Sequence, residues 1–239
     1  MTADTLFFDL NLSGHQSDEE LAASVSLLKR FGYMVAAVNQ NVGGKNPLQQ
    51  IREPPNPPVS SLAPEVSQAT TPESQKQFRL LQRLTVALDD ANLSVRLDAS
   101  NAKLQKFDLL AARPLSERAL HNAVTNADVD IISLDLGSSL GFHIKKGPVS
   151  TAIQRGMFFE VSYAPSIRDS TQRKNIIANI QSLLRVTNGK NIILTSDAMR
   201  ALEIRSTHDV MNLAQMFGIP DRYAREGISN ACRSVLYHA

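Results

Sequence analysis

The stretch MFFEVSYAPSIRDSTQRK, Met157 to Lys174, decides the fold. Its first seven residues are almost continuously apolar, without the alternation of a strand that is wet on one face. They read as a strand buried on both sides, the habit of a parallel sheet covered by helices. A helix follows at once. Ser170 suits its N-cap, and Ile176, Ile177, Ile180, Leu183 and Leu184 recur at helical spacing to form its inward face. The start of this helix also carries Arg168, Arg173 and Lys174, although aligned peptide dipoles already leave partial positive charge there.

The same strand-then-helix unit recurs in both directions from this stretch. Strand-like runs are LFFDL (6–10), YMVAAV (33–38), RLTVAL (83–88), SVRLD (94–98), KFDLLAA (106–112), DIISLDL (130–136), MFFEVSY (157–163) and NIILTS (191–196). Among the helices, Ser17 with Glu20 forms a capping box and Ser116 caps a helix burying Ala119, Leu120, Ala123 and Val124. Thr207 starts another helix, which Gly218 and Pro220 end. Eight candidate strands favour a single closed β/α barrel of the TIM type over 1–239, rather than an open doubly wound sheet. The 89–93 connection is too short for a helix, so one unit is irregular. Residues 42–74 hold seven of the eleven prolines and read as a long Pro-rich, flexible excursion from the barrel.

Composition excludes several classes. No apolar run approaches membrane-spanning length, and Asp4, Asp9 and Asp18 flank only a short apolar run, against a secretory signal. The single cysteine, Cys232, leaves no intrachain disulfide and no cysteine-rich zinc site. Residues 1–138 carry 12 Lys/Arg against 16 Asp/Glu, whereas 139–239 carry 13 against 7, so the second half is mildly basic. That asymmetry fits a polyanionic partner and fits solvated surface charge equally well.

In a β/α barrel the chemistry sits at the strand C-termini, here Asp9, Asn11, Asn39, Asp135, Tyr163 and Ser196. Such a polar set fits an active site and also ordinary loop entry. No residue is assigned a catalytic role. His15, His121, His143, His208 and His238 are scattered without metal-ligand spacing. Asp9, Asp130, Asp135 and Glu160 are the carboxylates a magnesium ion would need, but they need not converge, so no metal and no cofactor is expected. A nucleophile elbow, a phosphate loop and a dinucleotide fingerprint are absent.

The basic positions are sharper. Arg83, Arg113, Lys145, Lys146, Arg155, Arg168, Arg173, Lys174 and Lys190 are all expected beside strand or helix termini. Singly, each reads as a surface ion pair of little consequence. The 168–174 cluster fits a phosphate group, and several such sites fit a nucleic-acid backbone. With no tryptophan and few aromatics, backbone and shape recognition of folded RNA suits the chain better than base stacking.

FFDLN (7–11), FDLLAARP (107–114), DVDIISLDL (128–136), AIQRGMFFEVSYAPSIRDSTQRK (152–174), GKNIILTSDA (189–198) and EIRSTHDVMNLAQMFGI (203–219) resemble the barrel-type protein subunit of nuclear ribonuclease P, RNase P. The match is ordered and covers nearly all of the chain outside 42–74. The resemblance implies a TIM-like barrel related to the polymerase-and-histidinol-phosphatase barrels. It further implies membership of RNase P and the related RNase MRP of nucleus and nucleolus, where RNA is the catalyst. The implied partners are the particle's RNA, a small RNA-recognition-like protein subunit, the other subunits and, indirectly, precursor tRNA. It adds Arg205, in a variant of the family's Arg-Gly-Pro-Tyr-Asp motif, to the RNA-contact candidates. Where related metal-dependent barrels carry His-x-His, this chain has Asp9-Leu10-Asn11. Two functions therefore stand: a non-catalytic RNA-binding subunit supporting precursor-tRNA and pre-rRNA processing, or a free-standing metal-dependent phosphoesterase.

Overall fold

A computed structural model describes residues 5–14, 17–54, 78–93, 95–98 and 100–239. Strands β1 (Phe7–Ser13), β2 (Tyr33–Val42), β3 (Arg79–Leu88), β4 (Leu109–Pro114), β5 (Ile131–Ile132), β6 (Phe158–Ser162) and β7 (Ile192–Thr195) lie side by side in chain order. Each pairs in parallel with the next. The single bridge Leu12–Ala198 brings the last strand round to the first, giving a nearly closed TIM-like barrel.

Helices α1 (Asp18–Arg30), α2 (Glu117–Asn126) and α3 (Lys146–Gln154) follow β1, β4 and β5. The short α4 (Ala164–Arg168) and long α5 (Ser170–Thr187) follow β6, while α6 (Thr207–Met216), α7 (Asp221–Gly227) and α8 (Asn230–His238) follow β7. Ser17 and Ser116 cap α1 and α2 as expected, accepting from the backbone N–H of Glu20 and Ala119. Asp169 rather than Ser170 caps α5, while α6 starts at Thr207 as expected, with Ser206 as its N-cap.

The expected eighth strand at 94–98 is not one. Ser94 is outside the described residues, and Val95–Asp98 has no ladder partner. Leu97 is buried, its carbonyl takes the Asp128 N–H at 2.6 Å, and Asn122 of α2 donates to the Leu93 carbonyl. This segment lies against α2 on the outside of the barrel, where a β3–β4 helix would run. The 130–136 strand shrinks to Ile131–Ile132.

Of the expected excursion over 42–74, residues 42–54 are described. Val42 completes β2, Pro47 is buried, and Leu48 and Ile51 pack on the core. The Gly44 carbonyl accepts from Asn92 and the Leu48 carbonyl from Lys103. Residues 42–54 thus belong to the barrel wall, and 55–74 lie outside the described residues.

Alternate strand residues divide two cores. Leu84, Val86, Ala112, Ile132, Phe159, Val161, Ile192 and Leu194 face outward and pack with the helices. Phe8, Leu10, Val35, Ala37, Leu109, Ala111, Ile131, Phe158 and Ile193 pack with Cys232 and Val235 of α8, which closes the end where the strands begin. At the opposite end the interior turns polar.

Candidate nucleic-acid interface

The polar end of the barrel is built around Arg83, which is fully buried. Its Nη1 and Nη2 lie 2.6 and 2.7 Å from the two Glu160 carboxylate oxygens, a forked pair on facing strands. Nη1 also donates to the Leu10 carbonyl at 2.8 Å and Nε to Thr85 Oγ1 at 3.2 Å. Asn11 and Thr195 donate to the same Glu160 oxygen. Thr85 donates to Asn39 Oδ1, while Asn39 and Ser13 both donate to Asn11 Oδ1. Burial alone would push the Glu160 carboxyl up, but Arg83 and the surrounding hydroxyls hold it at about 2.

Asp9 is the exception in this network. It is 2% exposed; Oδ1 accepts from the Ser196 and Asn11 N–H groups, and Oδ2 has no partner. Burial pushes its carboxyl up to about 6, with the nearby Glu160 charge adding to it and the Ser196 and Asn11 bonds opposing. Of the carboxylates considered as magnesium ligands, only Asp9 and Glu160 share the interior. Asp135 is exposed, and Asp130 lies at the other end of the barrel on His238. Among the described residues, no group of three or more His, Cys, Asp or Glu is placed to hold a metal ion.

Arg83 is therefore a correction. It sits in the middle of β3, inside the barrel, where no phosphate reaches it. In a parallel barrel the helices return antiparallel to the strands, so helix starts lie at the strand C-terminal end. That end collects Arg113, Lys145, Lys146, Arg168, Arg173, Lys174 and Arg205; Arg155 and Lys190, after α3 and α5, fall at the opposite end. Arg155 donates to the Val124 and Ala127 carbonyls and sits 3.5 Å from Asp128, fastening the end of α2.

Nor do Arg168, Arg173 and Lys174 converge on one helix start. The Asp169 carboxylate already occupies that start, accepting from the Gln172 N–H at 2.8 Å. Arg168 turns to the loop after β7, with Nη2 on the Asp197 carbonyl and Nε 3.4 Å from Glu203. Arg173 Nε donates to the Ser166 carbonyl, in the middle of α4. Lys174 is exposed, as is Lys146; Lys145 pairs with Glu117, and Arg113 Nε is buried without a partner. An acidic cap thus answers the dipole, and two of the three cations fasten neighbouring segments, the β7 loop and α4.

At the strand-start end, His238 joins α8 to the barrel. Its Nδ1 lies 2.9 Å from Asp130 Oδ1 and its Nε2 2.8 Å from the Arg155 carbonyl, so both nitrogens meet acceptors. Burial lowers its basicity, but Asp130 and the Arg155 carbonyl outweigh that and raise it above 6.5. A raised histidine stabilises fully below its unfolded value and loses that contribution as pH rises through the folded one. His238→Gln is accordingly expected to lose stability at pH 5.5 and little at pH 9; equal losses in urea melts at both would contradict this.

Fold and interior together define a parallel β/α barrel whose strand-end mouth is filled by its own guanidinium–carboxylate pair. The family model described as RNase P subunit p30 matches residues 6–239, and the chain belongs to that family. It is 35% identical to the ribonuclease P protein subunit p30 of Mus musculus over 97% of this chain and 85% of that one. It is 34% identical to the probable ribonuclease P protein subunit 3 of Schizosaccharomyces pombe over 98% of this chain and 94% of that one. Its fold matches a chain of an archaeal ribonuclease P structure with mature tRNA at a TM-score of 0.67, with 13% identity over 95% of this chain and 90% of that one.

Proposed function

We propose that this chain is a non-catalytic, RNA-binding protein subunit of the ribonuclease P ribonucleoprotein and of RNase MRP. It supports 5′-leader removal from precursor tRNA and pre-rRNA processing in the nucleus and nucleolus, beside a small RNA-recognition-like subunit. Family membership over residues 6–239 is the observation that carries the reading. The interior agrees with it, because a guanidinium occupies Glu160, one of the carboxylates considered as a magnesium ligand. Metal-dependent phosphoester turnover by the purified chain, abolished by Asp9→Ala, would overturn the non-catalytic part.

The RNA-facing set is Arg113, Lys145, Lys146, Arg173 and Lys174, at the strand C-terminal end; Arg168 and Arg205 are engaged by the loop after β7. Lys146 opens α3 and Lys174 is the fifth residue of α5; both are exposed and carry the test. Lys146→Gln with Lys174→Gln is expected to leave the melting temperature unchanged and to flatten the salt dependence of binding to the particle's RNA. The slope should fall by about 0.7–0.9 for each phosphate that is no longer neutralised. Arg168→Gln should instead lower stability, since its guanidinium fastens the β7 loop. An unchanged salt slope in the lysine double variant would remove this face from the RNA.

A further inference from the structure

The loop between β7 and α6 is held by more polar contacts than a surface connection needs. Glu203 is 4% exposed; its Oε2 accepts from the Met199 N–H at 2.9 Å, and its Oε1 faces Arg168 Nε and Arg200 Nη2, each at 3.4 Å. Arg205 Nη1 donates to the Leu202 and Ile204 carbonyls at 2.7 and 3.0 Å. Its backbone N–H donates to the Tyr163 hydroxyl, and its carbonyl accepts from the Tyr33 hydroxyl. Asp197 adopts a left-handed conformation with φ of 53°. Gly14, also left-handed, lets the β1 loop lie against Met199, where a Cβ would come within 3.2 Å of Cγ.

This frame presents Leu202, 82% exposed, with Met199 at 45% beside it. An exposed leucine alone means nothing. Here, however, a buried carboxylate and two arginines, Arg168 and Arg205, fix the backbone on both sides of it, so little ordering cost remains when a partner binds. The arginines also decide the partner's chemistry. Arg168 and Arg205 are engaged by the loop itself, and Asp197 and Glu203 lie against the Arg168 guanidinium. That leaves little for a phosphate backbone. Arg200 is different: its side chain is two-thirds exposed and stands next to Met199. Methionine and arginine beside a large aliphatic anchor are the composition of a protein interface core and its rim.

We propose that Met199, Arg200 and Leu202 form a preorganised docking knob for a protein partner, whose apolar pocket receives Leu202 and whose acidic rim receives Arg200. This surface is additional to the proposed RNA face and does not depend on it. In the test, p-benzoylphenylalanine replaces Leu202 in the tagged full-length chain inside the cell, and the ultraviolet adduct is treated with RNase or protease. The expected adduct survives RNase, yields to protease and maps to an apolar segment flanked by Asp or Glu. In pull-downs through the same tag, Leu202→Asp should lower recovery of that cross-linked protein about 30-fold, as loss of a central anchor does. Arg200→Glu should lower it in a salt-dependent manner, with affinity for the purified RNA and the melting temperature unchanged in both variants. An adduct removed by RNase would assign the knob to RNA. No adduct, a cross-linked segment without acidic residues, or full recovery by Leu202→Asp would leave it a solvated loop. Each of these results overturns the proposal while leaving the lysine test of RNA binding intact.

Discussion

Arg83→Met is expected to destabilise the protein by about 3–5 kcal/mol, the usual cost of leaving one member of a buried ion pair without the other. Glu160 would remain in the barrel at 1% side-chain exposure with its two strongest donors gone. The pH dependence should change sign with it. In the parent chain Glu160 is held at about 2 against an ordinary 4.5, so its contribution is present above pH 4.5 and is lost as the pH falls toward 2. Without Arg83, burial dominates and pushes the carboxyl above its ordinary range, so the variant should gain stability on acidification. Urea melts from pH 4 to pH 8 give both quantities. The double variant Arg83→Met with Glu160→Leu should recover much of the loss, because well-packed apolar residues often replace a buried pair at little cost. A loss below about 1 kcal/mol in the single variant would mean that water reaches Glu160 and that the mouth is not sealed.

Asp9→Asn acts in the opposite direction. The Asp9 carboxyl is raised to about 6 from an ordinary 3.8, so the native state takes up a proton in that window. Stability is fully present below pH 3.8 and is lost as the pH rises through about 6, the ionised form being the costly one. A shift of that size corresponds to about 2–3 kcal/mol at pH 8. The asparagine Oδ1 retains the bonds from Ser196 and Asn11, and its neutral amide replaces the partnerless oxygen. The variant should therefore be more stable at pH 8 by about 2 kcal/mol, with that window of pH dependence removed. Melting profiles that keep the parental slope between pH 4 and pH 7 would show that Asp9 is ionised at no cost.

The regular part of this fold was legible because burial on both faces leaves a plain record. Phe158–Ser162 and Ile192–Thr195 are apolar runs followed by helices, and they became β6 and β7. The 94–98 segment carries the same apolar record, but Leu97 is buried against α2, and residue type does not distinguish a stave from a strap laid over a helix. Ile131 and Ile132 form a strand while the residues after them leave the ladder, although the hydropathy of 130–136 does not change. Of the site, the strand-end positions Asp9, Asn11, Asn39 and Ser196 were found by placement alone. Arg83 and Glu160 were separately visible as charges in apolar surroundings, one assigned to RNA and the other considered for a metal. Their partnership was hidden because 77 residues separate them and only barrel closure brings β3 to face β6. Arg200 and Glu203 were missed outright: a loop's internal bonding leaves no periodicity to read.

The joint between β1 and β7 bears on how the chain folds. Every other joint connects neighbours in sequence and can form as its strands emerge. This one has a single ladder bridge, with the Ser13 N–H on the Ala198 carbonyl and the Asp197 N–H on the Asn11 carbonyl. Ser196 completes it, reaching the Asn11 carbonyl across 185 residues of chain. Closing so long a loop is entropically costly and few contacts offset that cost locally, so the ring shuts after its arc has assembled. Asn11 accepts from Ser13 and Asn39 and donates to Glu160, so the arc cannot acquire its interior network before that last joint is made. Closure and completion of the mouth are a single cooperative event, and an unclosed arc would be left with Arg83 and Glu160 facing water.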